Sequence, residues 1–279
     1  MKRLRWGVGA VGLLLLLLAV WQILAATQGL EITTIRSTAP PLTIVTPQGE
    51  ARGSRPLVLI GHGFAGSNVV MRGFALSLAH AGYTVVLWDF DGHGANPQSL
   101  PSGRSDSLIA NAEAALAEAK ARGLGDPDRV AILGHSMGSG VALDFGQRHP
   151  GTAATIAISP GGQPVTPALP HNLLLMAGSL EASFVRNAEQ RLSEAGGPGG
   201  DPAAGTARKL LVIPGVEHIS ILFAPTAHAA ARDWLDGTFG PQPGARVYTD
   251  RRVRWYGLGV LGTLLVAAVD AQPLRVAVY

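Results

Sequence analysis

The sequence contains no cysteine. That excludes disulfides, thiolate metal sites and a cysteine nucleophile. It is also poor in charge. Of its 279 residues only 15% are charged, against 47% hydrophobic, a greasier balance than that of an average soluble domain. No internal repeat is present, which argues against a solenoid or propeller. The net charge of +3 owes much to two clusters, Lys2, Arg3 and Arg5 near the start and Arg251, Arg252 and Arg254 near the end. Neither cluster is interleaved with aromatic residues. They read as charges flanking a membrane, and no nucleic-acid partner is expected.

The apolar excess sits at the two ends. Trp6 to Ala26 runs for 21 residues without a charge, which at about 1.5 Å per residue crosses the hydrocarbon core of a bilayer. Trp6 and Trp21 stand where interfacial aromatics would. The basic residues ahead of this run should stay cytoplasmic and place the following chain outside. A cleaved signal peptide is the competing reading. The run is long for one, and Leu24-Ala25-Ala26 lacks the small residue that opens a cleavage signature. A second apolar run, Trp255 to Val269, has 15 residues, short for a span. A tilted second span, an interfacial helix and a helix packed on the domain are all open for it. The arginines before it would lie on the disfavoured side if the domain is external. The expected division is a membrane anchor over 1–29, a folded domain over 30–240, and a linker with the second apolar helix over 241–279.

Within the central region, short apolar runs alternate with amphipathic ones. Strands are expected at Leu30–Arg36, Leu42–Thr46, Pro56–Ile60, Thr84–Trp88, Arg129–Leu133, Ala154–Ile158, Leu173–Met176 and Lys209–Ile213. Helices are expected at Met71–Ala81, Ser107–Arg122 and Ser139–Arg148. Wholly apolar strands alternating with helices predict an α/β fold, a mostly parallel sheet covered on both faces, with the first two strands antiparallel. The glycine-rich stretch 196–205 is expected to be a loop.

The strand Arg129–Leu133 runs directly into Gly134-His135-Ser136-Met137-Gly138, with a helical pattern behind it. This is G-x-S-x-G in the strand–turn–helix setting that a nucleophilic serine requires. The turn leaves no room for side chains at Gly134 and Gly138. It lifts the Ser136 hydroxyl to a helix N-terminus, where the Met137 N–H and the helix dipole favour a developing oxyanion. His135 lies within the elbow and is excluded as its base. The segment from Asp128 to Gly138 resembles the nucleophile region of bacterial α/β-hydrolases, especially the dienelactone-hydrolase and esterase branch. The resemblance covers about 56–235 and leaves out the two apolar ends.

It implies an α/β-hydrolase fold and further site residues. Gly61-His62-Gly63-Phe64 follows a strand where the family carries an HG motif, so the Phe64 N–H would pair with that of Met137 as oxyanion donors. Gly63 permits close backbone approach, and His62 is assigned no proton transfer. The base follows the serine in family order, which leaves His149, His171, His218 and His228. His218, after a strand and a turn, matches the catalytic-histidine loop. The acid belongs just after Leu173–Met176. The family usually carries aspartate there, but the only carboxylate is Glu181. Glu217 is its rival, disfavoured because adjacent residues rarely aim at each other.

Asp89, Asp91 and His93 could suggest a metal cluster, but in the family such carboxylates hold loop backbone, so neither metal nor cofactor is expected. Ser67 and Asn68 are expected to cap the helix near Met71 in preference to lining the site. Only about 14 residues (159–172) separate two strands where a lid domain could be inserted. The site should therefore be open, favouring small or surface-presented esters over long buried acyl chains. The expected activity is ester hydrolysis through an acyl-enzyme. Amide or thioester hydrolysis on the same fold, and a membrane-tethered binding module without catalysis, are the alternatives. The oligomeric state is not legible.

Overall fold

The computed structural model describes residues 2–49, 52–101 and 104–270. The chain divides into two compact units, one made of Met1–Gln28 with Arg251–Tyr279 and the other of Gly29–Asp250.

The larger unit is built on an eight-stranded sheet in the order β1-β2-β4-β3-β5-β6-β7-β8. The strands are β1 (Leu30–Ile35), β2 (Leu42–Pro47), β3 (Pro56–Gly61), β4 (Thr84–Trp88), β5 (Asp126–His135), β6 (Thr152–Ile158), β7 (Leu173–Gly178) and β8 (Arg208–Ile213). The β1–β2 and β2–β4 pairings are antiparallel and the others parallel. Among the described residues, five α-helices belong to this unit: α2 (Arg72–His80), α3 (Arg104–Ala121), α4 (Met137–Arg148), α5 (Ala182–Glu194) and α6 (Pro225–Phe239). Leu57, Leu59, Val86, Ile132 and Trp88 pack in one core with Ala112 of α3 and Phe145 of α4. Pleating sends Val58 and Ile60 to the opposite face, which α2 and α6 cover. Both faces are buried, hence the unbroken apolar strands.

The register sets the strand ends level. Gly61 pairs with Gly134, His135 with Ile158, Ile158 with Met176 and Gly178 with Ile213. The loops after β3, β5, β7 and β8 therefore open side by side at the carboxyl edge of the sheet, where open α/β sheets bind ligands.

The smaller unit pairs α1 (Lys2–Ala25) with α7 (Arg252–Asp270). They run antiparallel, with Gly9 against Val269, Gly12 against Gly262 and Ala19 against Gly259. Glycine lets the backbones approach: a Cβ on Gly12 would lie 2.8 Å from the Gly262 carbonyl oxygen. Both helices are long and apolar enough to cross a membrane, over 21 residues (5–25) and 18 residues (252–269). The second is longer than the apolar run alone indicates, because Arg252, Val253 and Arg254 join its first turn. The expected domain boundary at 240 also shifts, to 250. Gln242 is buried, the Arg246 N–H donates to the His80 carbonyl (2.7 Å), and the Tyr248 ring packs at a tilt against that of His80. Residues 241–250 are thus part of the larger unit and not a linker. The last nine residues of the 241–279 segment lie outside the described residues.

Candidate active site

The sharp turn expected after β5 is present. Ser136 adopts φ 54° and ψ −117°, a region that costs a non-glycine residue about 1–3 kcal/mol and persists only where the surroundings enforce it. They do so here. The Ser136 N–H donates to the Ile158 carbonyl (2.9 Å), and its own carbonyl accepts from the Ser139 N–H (2.9 Å). A Cβ on Gly134 would lie 1.9 Å from the Gly138 carbonyl oxygen, and one on Gly138 would lie 2.5 Å from that of Gly61. Neither position can carry a side chain. Met137 opens α4, so its N–H has no carbonyl one turn earlier in the helix.

The loop after β8 brings His218 to the serine. Its Nε2 is 2.9 Å from Ser136 Oγ, and its Nδ1 is 2.9 Å from Glu181 Oε2. An ionised carboxylate only accepts, so Nδ1–H donates to Glu181 and Nε2 is left to accept from the serine hydroxyl. The imidazole is held between two rings. Phe184 stacks on it at 4.4 Å with an interplanar angle of 16°, and His135 lies at 4.7 Å. His135 also donates from Nε2 to the His218 backbone carbonyl (2.9 Å). Burial, reinforced by the facing His218, pushes the His135 pKa down to about 4, so it is neutral at pH 7.

Glu181 starts the N-terminal end of α5 and is 7% exposed. Besides His218, it accepts from Ser159 Oγ–H (2.7 Å) and from the Gly178 N–H (2.5 Å) at its other oxygen. Glu217 turns away from this cluster. It accepts from the Ile219 and Ser220 N–H groups, which hold its carboxyl below its ordinary pKa.

His62 is fully buried beneath the loop after β3. Its Nε2 accepts from the Phe90 N–H (3.2 Å), so its Nδ1–H donates to the Gly63 carbonyl (2.8 Å). Burial lowers its pKa. The Gly63 carbonyl and the Phe64 N–H belong to one trans peptide and point to opposite sides. Fixing the carbonyl against His62 thus aims the Phe64 N–H the other way. A Cβ on Gly63 would meet Ser136 Cβ at 3.2 Å, so this loop lies directly on the elbow.

The remaining polar candidates hold structure. Asp89 accepts from the Asn68 N–H (2.6 Å) and the Ala95 N–H (2.9 Å), and Asp91 from Asn96 and Asn111. His93 Nδ1 meets the Asp91 carbonyl. No group of three or more His, Cys, Asp or Glu side chains converges to hold a metal among the described residues. His149 bonds Glu113, His228 bonds Ser77 and Leu222, and His171 is packed beside Gly205. The capping expected of Ser67 is not realised. Ser67 occupies the cap position without a side-chain bond; the Val70 N–H donates to the Ser67 carbonyl instead (3.2 Å), and Asp89, just after β4, accepts from the Asn68 N–H.

Ser159, Phe184 and the His135–His218 contact are absent from the sequence reading. Each joins residues distant in the chain, and no local motif marks them. A cavity of about 460 Å³ opens beside Ser136, between α3, α4 and the chain at 161–163.

Comparisons with known proteins agree with this architecture. Residues 52–198 match the family profile of serine aminopeptidase, S33. That span includes Phe64, Ser136 and Glu181 and ends before His218. An uncharacterised protein of Mycobacterium tuberculosis is 36% identical over 108 residues, covering 39% of this chain and 37% of the relative. Esterase YjfP of Escherichia coli is 31% identical over 132 residues, covering 44% of this chain and 52% of the esterase. The chain thus covers about half or less of the length of these curated relatives. Among solved structures, EstE5, soaked with p-nitrophenyl butyrate, superposes with a TM-score of 0.56 at 16% identity, over 82% of this chain and 86% of that one. A protein of Klebsiella pneumoniae described as a dienelactone hydrolase gives 0.52 at 19% identity, over 75% and 97%. With the profile matched over more than half its length, this chain belongs to the serine aminopeptidase S33 family of α/β hydrolases.

Proposed function

We propose that the chain is a membrane-tethered serine hydrolase that cleaves carboxylic esters through an acyl-enzyme. The observation that carries this reading is the unbroken relay from Ser136 Oγ to His218 Nε2 and from His218 Nδ1 to Glu181, 2.9 Å at each link.

His218 Nε2 takes the Ser136 proton as Oγ attacks the ester carbonyl. Glu181 holds the ring's tautomer and stabilises the imidazolium formed in that step. The carbonyl oxygen, now negative, accepts from the Phe64 and Met137 N–H groups. One such donor is worth roughly 3–4 kcal/mol in the transition state. When the tetrahedral adduct collapses, His218 gives its proton to the departing alcohol. Water then attacks the acyl-serine with the same base, releasing the acid and restoring Ser136. The cycle needs no metal or cofactor. The family description favours a second reading, amide cleavage, by the same residues and steps with an amine leaving.

The tether is α1 with α7. Leu14, Leu17 and Leu24 of α1 and Val260 and Leu264 of α7 are each more than half exposed, which in water would cost heavily and in lipid does not. The glycine seam argues for retention of α1, since removal of a signal peptide would strip α7 of its partner. By the charge rule, Lys2, Arg3 and Arg5 stay cytoplasmic and the hydrolase unit lies outside.

Labelling by a fluorophosphonate probe, with mapping of the modified peptide, tests the proposal. Ser136 is expected to carry the label, and Ser136→Ala to lose it. Equal labelling of that variant would overturn the assignment, and absence of labelling in folded protein would point to a binding module. Parallel assays on p-nitrophenyl esters, acyl thioesters and aminoacyl p-nitroanilides decide the bond.

A further inference from the structure

The cavity beside Ser136 has a direction. Met137, Gly140, Val141 and Asp144 line it at helical spacing along one face of α4. From Ser136 to Asp144 that face measures about 12 Å. Leu108 and Ile109 of α3 form one wall, and Gly161, Gly162 and Gln163 form the other. Near the serine the surface is apolar. At the far end lies Asp144, which pairs with Arg148 at 2.9 Å; their side chains are 27% and 49% exposed.

We infer that this trough is the acyl subsite, that it takes an unbranched apolar acyl chain of medium length, and that Gly140 sets its bore. This rests on the ester-hydrolase reading and deepens it, and it replaces the expectation of small esters drawn from the short 159–172 connection, because the apolar trough along α4 houses a chain without a lid. The limb is assigned by proton transfer. The leaving alcohol must lie within reach of His218 Nε2, and no described residue of the 214–223 segment that carries His218 lines the trough. The chain lying along α4 is therefore the acyl group. Its length is limited because a longer alkyl chain would have to desolvate the Asp144–Arg148 pair. A volume of about 460 Å³ lies within the range of small-ligand sites. Gly140 is assigned by the packing around it. A Cβ there would lie 3.3 Å from Gln163 Cγ, so helix and opposite wall already leave little room at this residue. Any larger side chain would fill the passage between the serine and the far end.

The test uses the full chain in lipid nanodiscs and p-nitrophenyl acetate, hexanoate, octanoate and dodecanoate. Wild-type kcat/KM is expected to rise at least tenfold from acetate to octanoate and not to rise further with dodecanoate. In Gly140→Leu the octanoate-to-acetate ratio should fall at least tenfold, with Gly140→Ala in between. Partition of the esters into lipid is common to all variants and cancels in this comparison. Replacing glycine inside a helix does not weaken it, and retained fluorophosphonate labelling of Gly140→Leu shows that the site is intact. Should Gly140→Leu not fold, Gly140→Ala carries the comparison, with a threefold fall expected. An unchanged ratio, or a wild type fastest on acetate, overturns the subsite and leaves the ester-hydrolase reading standing. A wild type that neither labels nor cleaves any ester overturns both.

Discussion

Acid should loosen this fold through His135. Its ring is 2% exposed, wedged between Gly63 and the His218 ring, and its Nε2–H is committed to the His218 carbonyl. Burial is the main reason its pKa falls to about 4 from the ordinary 6.5; the neighbouring His218 and His62 rings add to that, while the bond to the His218 carbonyl and Glu217 oppose it. In the unfolded chain the ring regains its ordinary value. Between pH 6.5 and about 4 the unfolded state therefore binds more protons than the folded one, and stability rises with pH. The contribution is fully present above pH 6.5 and is lost as pH falls through that window. The full drop corresponds to about 3 kcal/mol, a large fraction of the roughly 5–15 kcal/mol that holds an ordinary domain together. The perturbation is His135→Gln, which keeps an N–H donor for the His218 carbonyl and does not titrate. Urea unfolding of the full chain in detergent, followed by tryptophan fluorescence from pH 7 to 4.5, should show wild type losing stability faster than the variant. His62, also lowered by burial, titrates in both proteins, so its effect cancels in the difference. Parallel curves for the two proteins would refute the reasoning, because they would mean that His135 does not resist protonation in the folded state.

Glu181→Gln should reduce kcat by roughly 10²–10⁴, because a neutral amide neither fixes the tautomer of His218 nor offsets the imidazolium; a stopped-flow or steady-state ester assay reads this, and wild-type kcat would exclude Glu181 from the relay. The helix pair offers a covalent test in a chain with no cysteine. A Cβ on Gly9 would stand 3.8 Å from Val269 Cβ, within the span of a disulfide. The double substitution Gly9→Cys with Val269→Cys should therefore crosslink under mild oxidation and shift mobility on a non-reducing gel. No crosslink in membranes would mean that α1 and α7 do not pair there, as a cleaved leader would also require.

The strands and the elbow were legible because their causes are local. A buried parallel strand must be apolar throughout, and Gly134 and Gly138 are imposed by carbonyl oxygens in van der Waals conflict with any side chain. His218 was legible by its place after a strand. The helix at Ala182–Glu194 was not, since its exposed face is strongly polar and only Ala188 and Arg191 are buried. The cap at Ser67 was not realised: its own carbonyl takes the Val70 N–H, and its side chain makes no cap bond. Phe184 and Ser159 could not be seen at all. Their function is to touch His218 and Glu181 across loops that only the sheet order makes neighbours.

Glutamate in place of the aspartate usual in this loop is a consequence of where the loop places it. The chain after β7 turns back on itself, with the Glu181 N–H donating to the Gly178 carbonyl (3.1 Å). The carboxylate thus starts at the entrance to α5, three residues beyond the strand end. From there it must span two tasks at once, taking the Gly178 and Ser159 donors on one oxygen and His218 on the other. The additional methylene supplies that reach. Ser159 completes the arrangement from the end of the neighbouring strand, fully buried and held at φ 49°, a backbone conformation that costs free energy and persists only where its surroundings enforce it. Its hydroxyl donates to the carboxylate that in turn holds an imidazole, which ties the end of β6 to the Glu181–His218–Ser136 hydrogen-bond chain.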